Sequence, residues 1–170
     1  MNRKSVQIAT GGLTAALCVV LLLLGSIGEL GVYAAPMFAG LILVPLGQRW
    51  GRRYQFSLWL LISLLSLFLV PSIEENLMFF GLFGWYPILR PTLEKLPKHL
   101  RFLAKFLVLN LSFILLEALV MFLLIPAVFS SWLAVAMLLL INITFFFYDL
   151  LIPRFGLALH RLIHKLMHKK

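Results

Sequence analysis

Two carboxylates and two carboxamides stand inside the last two apolar stretches of this 170-residue chain: Asn110 and Glu117 in one, Asn142 and Asp149 in the other. The members of each pair are seven residues apart, which puts both on one face of a helix. Ionisable groups in such stretches are costly and face a bundle interior or a cavity. There a carboxylate hydrogen-bonds a neutral solute, neutralises a cationic one, or ties two helices together. A helical hairpin turning at Phe129-Ser130 sets Glu117 level with Asn142 and Asn110 level with Asp149. At about 1.5 Å of rise per residue, the first layer lies ~15 Å below the outer helix ends and the second ~10 Å deeper. Glu117 and Asn142 are therefore the candidate solute-binding pair. Asn110 and Asp149 form a second polar layer, and the alternative role for all four is to hold the hairpin together.

A second candidate group follows the first apolar run. Glu29 lies within, and Tyr33 just after, the glycine-rich turn Gly25-Ser26-Ile27-Gly28-Glu29-Leu30-Gly31, which has the backbone freedom of a lid. Glu74, Glu75 and Asn76 occupy the corresponding end of the next hairpin. Trp85 and Tyr86, beside Pro87, suit an interfacial anchor, or an aromatic wall for a planar ligand. His160, His164 and His168 recur at helical spacing, but Arg161, Lys165 and Lys169 share their stretch and no carboxylate is near to orient the imidazoles. They read as the polar face of a surface helix rather than a metal site. The lone Cys18 offers neither a disulfide nor a thiolate metal site and reads as a packing or lipid-facing thiol. No cofactor is expected. The chain has no Gly-x-x-x-x-Gly-Lys-Ser/Thr, His-Glu-x-x-His or Gly-x-Ser-x-Gly pattern, so it is read as a non-enzyme that takes any energy it needs from a partner or an ion gradient.

Membrane-spanning helices must position these groups. The composition is 62% hydrophobic and 12% charged, and the mean hydropathy is +1.03. That leaves too little polar surface to coat a water-soluble particle. Apolar runs near 8–28, 30–48, 56–71, 77–93, 103–126 and 132–152 predict an all-α bundle of six spans. Pro36 and Pro45 interrupt the second run, and Gly81, Gly84 and Pro87 the fourth, so both are expected to bend or partly unwind. The short third run borrows Tyr54 and Gln55.

The net charge of +9 comes from 15 Lys and Arg against 6 Asp and Glu. Every basic residue falls before the first span or at and beyond the ends of the even-numbered spans, reaching just inside the fourth at Arg90 and the fifth at Lys105, while the alternate loops hold only acids or no charge. By the preference of Lys and Arg for the cytoplasmic side, both termini are cytoplasmic in a multi-pass cell-membrane protein. The same distribution makes the charge a topological signal, and no nucleic-acid partner is inferred from it. Residues 1–152 are read as the transmembrane domain. Residues 153–170 are read as a basic amphipathic tail that lies, like the loop around Lys95, Lys98 and Arg101, against acidic phospholipids.

Gly11 with Ala15 and Gly12 with Ala16 form two overlapping small-xxx-small pairs, a spacing that lets another helix approach closely. Together with the glycine-rich turn through Glu29 and the stretch Pro36-Met37-Phe38-Ala39-Gly40 leading to Pro45-Leu46-Gly47, these pairs resemble the substrate-binding S component of energy-coupling factor transporters. The segment Trp85-Tyr86-Pro87-Ile88-Leu89-Arg90 also resembles small membrane proteins of Gram-positive anaerobes. The resemblance implies a six-helix fold and a small-molecule solute such as a vitamin, held by the first outer loop and the last three helices. It implies contact through Gly11, Gly12, Ala15 and Ala16 with a transmembrane coupling subunit that carries two cytoplasmic ATPases. Asn2 stands where the nickel and cobalt branch has His, so the implied solute is not a metal. A structural or assembly protein of the envelope that binds no solute is the second reading.

Overall fold

In a computed structural model, the backbone is described for residues 3–27, 31–123 and 131–167, and side chains for 4–27, 31–119, 135 and 138–156. Among these residues the chain is helical apart from short turns and connections, and contains no strand. Helix α1 spans Arg3–Gly25, α2 Gly31–Trp50, α3 Arg52–Leu69, α4 Ile73–Met78, α5 Tyr86–Leu93, α6 Lys98–Leu123 and α7 Ser131–Met167, with a π-helical segment at Phe79–Phe83 between α4 and α5. Among the described residues four helical stretches are long and apolar enough to cross a membrane: Lys4–Gly25, Gly31–Trp50, Lys98–Leu119 and Leu138–Gly156.

Local chemistry sets the breaks. Gly51 turns the chain between α2 and α3 at φ 93°, a left-handed conformation that only glycine adopts without strain. Helix α3 takes in Tyr54 and Gln55 as its first turn. The Tyr54 hydroxyl donates to the Gln7 carbonyl at 2.6 Å, and Gln55 is buried. Ser72 caps α4 by accepting from the Glu75 amide at 3.3 Å. The fourth apolar run is divided into α4, the π segment and α5, and the Gly84 amide donates to the Phe79 carbonyl at 2.8 Å across the widened turn. The second run is different: α2 stays one helix through Pro36 and Pro45. Helix α7 likewise passes through Pro153 unbroken to Met167, so the segment expected to form a separate tail starts as a continuation of that helix.

Two cores meet along α2. One is made by Ala15, Cys18 and Leu22 of α1, Ala39 and Leu43 of α2, and Leu58 and Ile62 of α3. The other gathers Leu41 and Val44 of α2, Phe83 of the π segment, Tyr86 of α5, Phe113 of α6 and Tyr148 of α7. Gly40 makes the second packing possible, because a Cβ there would collide with the Phe83 carbonyl oxygen and the Tyr148 hydroxyl. The Tyr148 hydroxyl itself donates to that carbonyl at 2.6 Å. Large apolar side chains such as Leu13, Leu64, Phe68, Leu111, Ile143 and Phe147 face outward around the molecule. Such a belt has a solvation cost in water and none in hydrocarbon.

Candidate functional site

The densest polar constellation lies where α5, α6 and α7 converge at the end of the bundle that carries the basic loops. Tyr86, Arg90 and Glu94 recur every fourth residue and so share one face of α5 and its C-cap. Arg101 and Lys105 stand one turn apart on α6, and Asp149 precedes Pro153 by one turn on α7. Asp149 accepts three hydrogen bonds: from the Tyr86 hydroxyl to Oδ1 at 2.7 Å, from Arg90 Nε to Oδ1 at 2.8 Å and from Lys105 Nζ to Oδ2 at 2.7 Å. Glu94 is held by Lys105 Nζ at 2.6 Å, Arg101 Nη1 at 2.7 Å and Arg90 Nη2 at 3.0 Å. Arg90 and Lys105 thus bridge both carboxylates, and Lys105 is only 9% exposed. Desolvation raises the Glu94 carboxyl, but the hydrogen bond from Lys105 and the charges of Lys105, Arg90 and Arg101 more than offset it, leaving the group below its ordinary value.

The expected cross-pairs between α6 and α7 do not form. Asn110 pairs with Asn142 instead, each amide nitrogen donating to the other's oxygen at 3.1 and 3.0 Å. Each nitrogen also donates to the carbonyl four residues earlier in its own helix, Phe106 and Leu138. Asn110 therefore meets the residue seven positions before its expected partner Asp149. Two turns of slip preserve the face of each helix, so hydrophobic periodicity is blind to it.

At the other end of the bundle the Tyr33 hydroxyl donates to Glu74 Oε1 at 3.2 Å. Glu117 stands on α6, which packs against α4. Tyr33 and Glu74 thus join α2 to α4 beside the helix that carries Glu117, while Asn142 is with Asn110. Beside them Ser26 Oγ donates to Glu75 Oε2 at 2.7 Å, and Asn76 Nδ2 donates to the Val70 carbonyl at 3.1 Å. Glu75 Oε1 and Asn76 Oδ1 are buried acceptors with no hydrogen-bond partner among the described residues. Glu29 and the His160, His164 and His168 side chains lie outside the described residues.

The small residues of α1 separate into two faces. Gly11 and Ala15 are buried, Gly11 against Tyr54 and Leu58 of α3, whereas Gly12 and Ala16 are exposed and nothing approaches Gly12 within 4 Å. Cys18 is fully buried, with Sγ 3.6 Å from the Ala39 carbonyl.

Sequence reading missed the partners of Asp149. Arg90 and Lys105 pass for topological charges and Tyr86 for an anchor until α5 is seen against α7. The four-residue spacing of Tyr86, Arg90 and Glu94 was the available signal. No family model, curated protein or solved structure matches the chain.

Proposed function

We propose that this chain is a membrane-embedded solute-binding subunit of the S-component type. In this reading it crosses the bilayer six times with both termini cytoplasmic, and it delivers a vitamin or related micronutrient with energy from partner ATPases. The observation that carries the reading is the Tyr33 to Glu74 hydrogen bond between α2 and α4, beside the Glu117-bearing helix α6, at the end of the bundle where α1 ends and α2 begins. Two carboxylates and a phenol suit a cationic or hydrogen-bond-donating solute. The open face of Gly12 and Ala16 on α1 supplies a second support, a surface on which a helix of a coupling subunit could pack.

The test is purification from native membranes followed by mass spectrometry of both proteins and small molecules. A retained solute that Glu117→Gln loses at unchanged membrane abundance supports the reading. So does a complex with a coupling subunit and ATPases that Gly12→Leu or Ala16→Leu disrupts. The mutual Asn110 and Asn142 hydrogen bonds favour the second reading, a structural or assembly protein, at that position. Purification with neither solute nor coupling module would overturn the transport reading in its favour.

A further inference from the structure

A cavity of about 550 Å³ opens beside the Asp149 network, between the first turns of α6 and the stretch of α7 from Phe145 to Pro153. Its volume falls in the range of small-ligand sites. Arg90, Lys98, Arg101 and Lys105 contribute positive charge to its lining against Glu94 and Asp149, a surplus of two. Among the described residues no other carboxylate is near to cancel it: Glu74, Glu75 and Glu117 are at the opposite end of the bundle. Lys98 makes no ion pair or hydrogen bond among the described residues, whereas Arg90, Arg101 and Lys105 are committed to the two carboxylates.

The position of the surplus adds to the case. Lys98, His99 and Arg101 crowd the first turn of α6, the positive end of its dipole, where cations are disfavoured and an anion is welcome. The Arg101 amide donates to the Pro97 carbonyl at 2.8 Å, while the amides just before it begin the helix with no carbonyl of their own helix to bond. Away from the charged end the lining turns aromatic, with Phe102, Phe106, Phe145 and Phe146. Phe102 is 61% exposed and Phe146 51%, so this wall continues into the outward-facing apolar belt.

We infer that this cavity binds the phosphate of an anionic membrane lipid, with Lys98 and Arg101 at the phosphate and the lipid chain laid along Phe102 and Phe146. A free phosphate would satisfy the charge but leave the aromatic wall unused. A zwitterionic lipid would bring a choline or ethanolamine cation into a site that already has surplus positive charge. The site is at the end of the bundle away from Tyr33, Glu74 and Glu117, so it stands whether or not a solute binds there.

Native mass spectrometry of the full chain, titrated separately with phosphatidylglycerol, phosphatidylcholine, glycerol 3-phosphate and inorganic phosphate, tests the proposal. Phosphatidylglycerol is expected to bind tightest. Lys98→Glu, which breaks no contact in the fold, is expected to weaken it roughly thirtyfold, from about fivefold per unit of charge, and Lys98→Arg to preserve it. Phe102→Ala is expected to weaken phosphatidylglycerol and leave glycerol 3-phosphate unchanged. Equal binding of phosphatidylglycerol and phosphatidylcholine, or an unaltered Lys98→Glu variant, would overturn the proposal. Inorganic phosphate binding as tightly as the lipid would overturn it too, by assigning the cavity to a soluble anion.

Discussion

Asp149 is a carboxylate whose two oxygens accept from three donors on two other helices, and removing it would leave Arg90 and Lys105 facing one another without it. An ion pair of this burial is costly to break by deleting one partner, because the remaining charges stay desolvated. Asp149→Ala is expected to destabilise the folded chain by about 3–5 kcal/mol, measured as denaturant unfolding in detergent, and a change under about 1 kcal/mol would show the network to be solvated like a surface pair. Glu94 governs the acid side. Its folded carboxyl lies below the ordinary value of 4.5, so its contribution to stability is complete above that value and is lost as pH falls through the lower folded one. Melting temperature should therefore fall more steeply on acidification for the wild type than for Glu94→Gln, and parallel curves would count against the ion-pair network as the cause.

Between elements, the paired carboxamides set the register of α6 against α7. Asn142→Leu leaves Asn110 with only its bond to the Phe106 carbonyl and is expected to cost about 0.6–2 kcal/mol in the same unfolding experiment. The double replacement of Asn110 and Asn142 by Leu should cost less than the sum of the singles, since no orphaned amide remains. The seven-residue slip in this hairpin marks where sequence reasoning ends. Period and polarity correctly place Asn110, Glu117, Asn142 and Asp149 on packed or partly buried faces, because 3.6-residue periodicity is local. Depth depends on where the turn lies, and the apolar residues around Phe129-Ser130 carry no signal that distinguishes one turn position from another one helical turn away. The break around Gly81 and Gly84 was legible because glycine has a local conformational signature. The unbroken course of α2 through Pro36 and Pro45 was not, because tertiary packing of both α2 faces outweighs the two lost backbone bonds.

For the whole molecule, the described structure places the basic ends of α1, α2, α3, α5 and α6 together and the Glu74 and Glu75 end opposite. The fully buried Cys18 gives a silent background for site-directed labelling. In intact cells, a membrane-impermeant maleimide is expected to label Ile27→Cys and to reach Arg53→Cys and Lys95→Cys only after permeabilisation. Labelling of all three in intact cells would overturn the six-span topology proposed above. The helical, apolar character of the chain was its most legible property, since hydropathy counted along the sequence already marks helices long enough to cross a membrane. The Asp149 network was the least, since it joins residues up to 63 positions apart.

The π-helical segment at Phe79–Phe83 inserts one residue into what would otherwise be a continuous ladder. Each residue of an α-helix turns the chain by about 100°, so this single insertion fixes the rotational phase of everything that follows. With it, the Tyr86, Arg90 and Glu94 face meets α6 and α7; without it, the same side chains would point about a quarter-turn away and Asp149 would lose two of its three donors. The segment works as a vernier, an offset of one residue that aligns two ends of a helix whose polar groups answer to different neighbours.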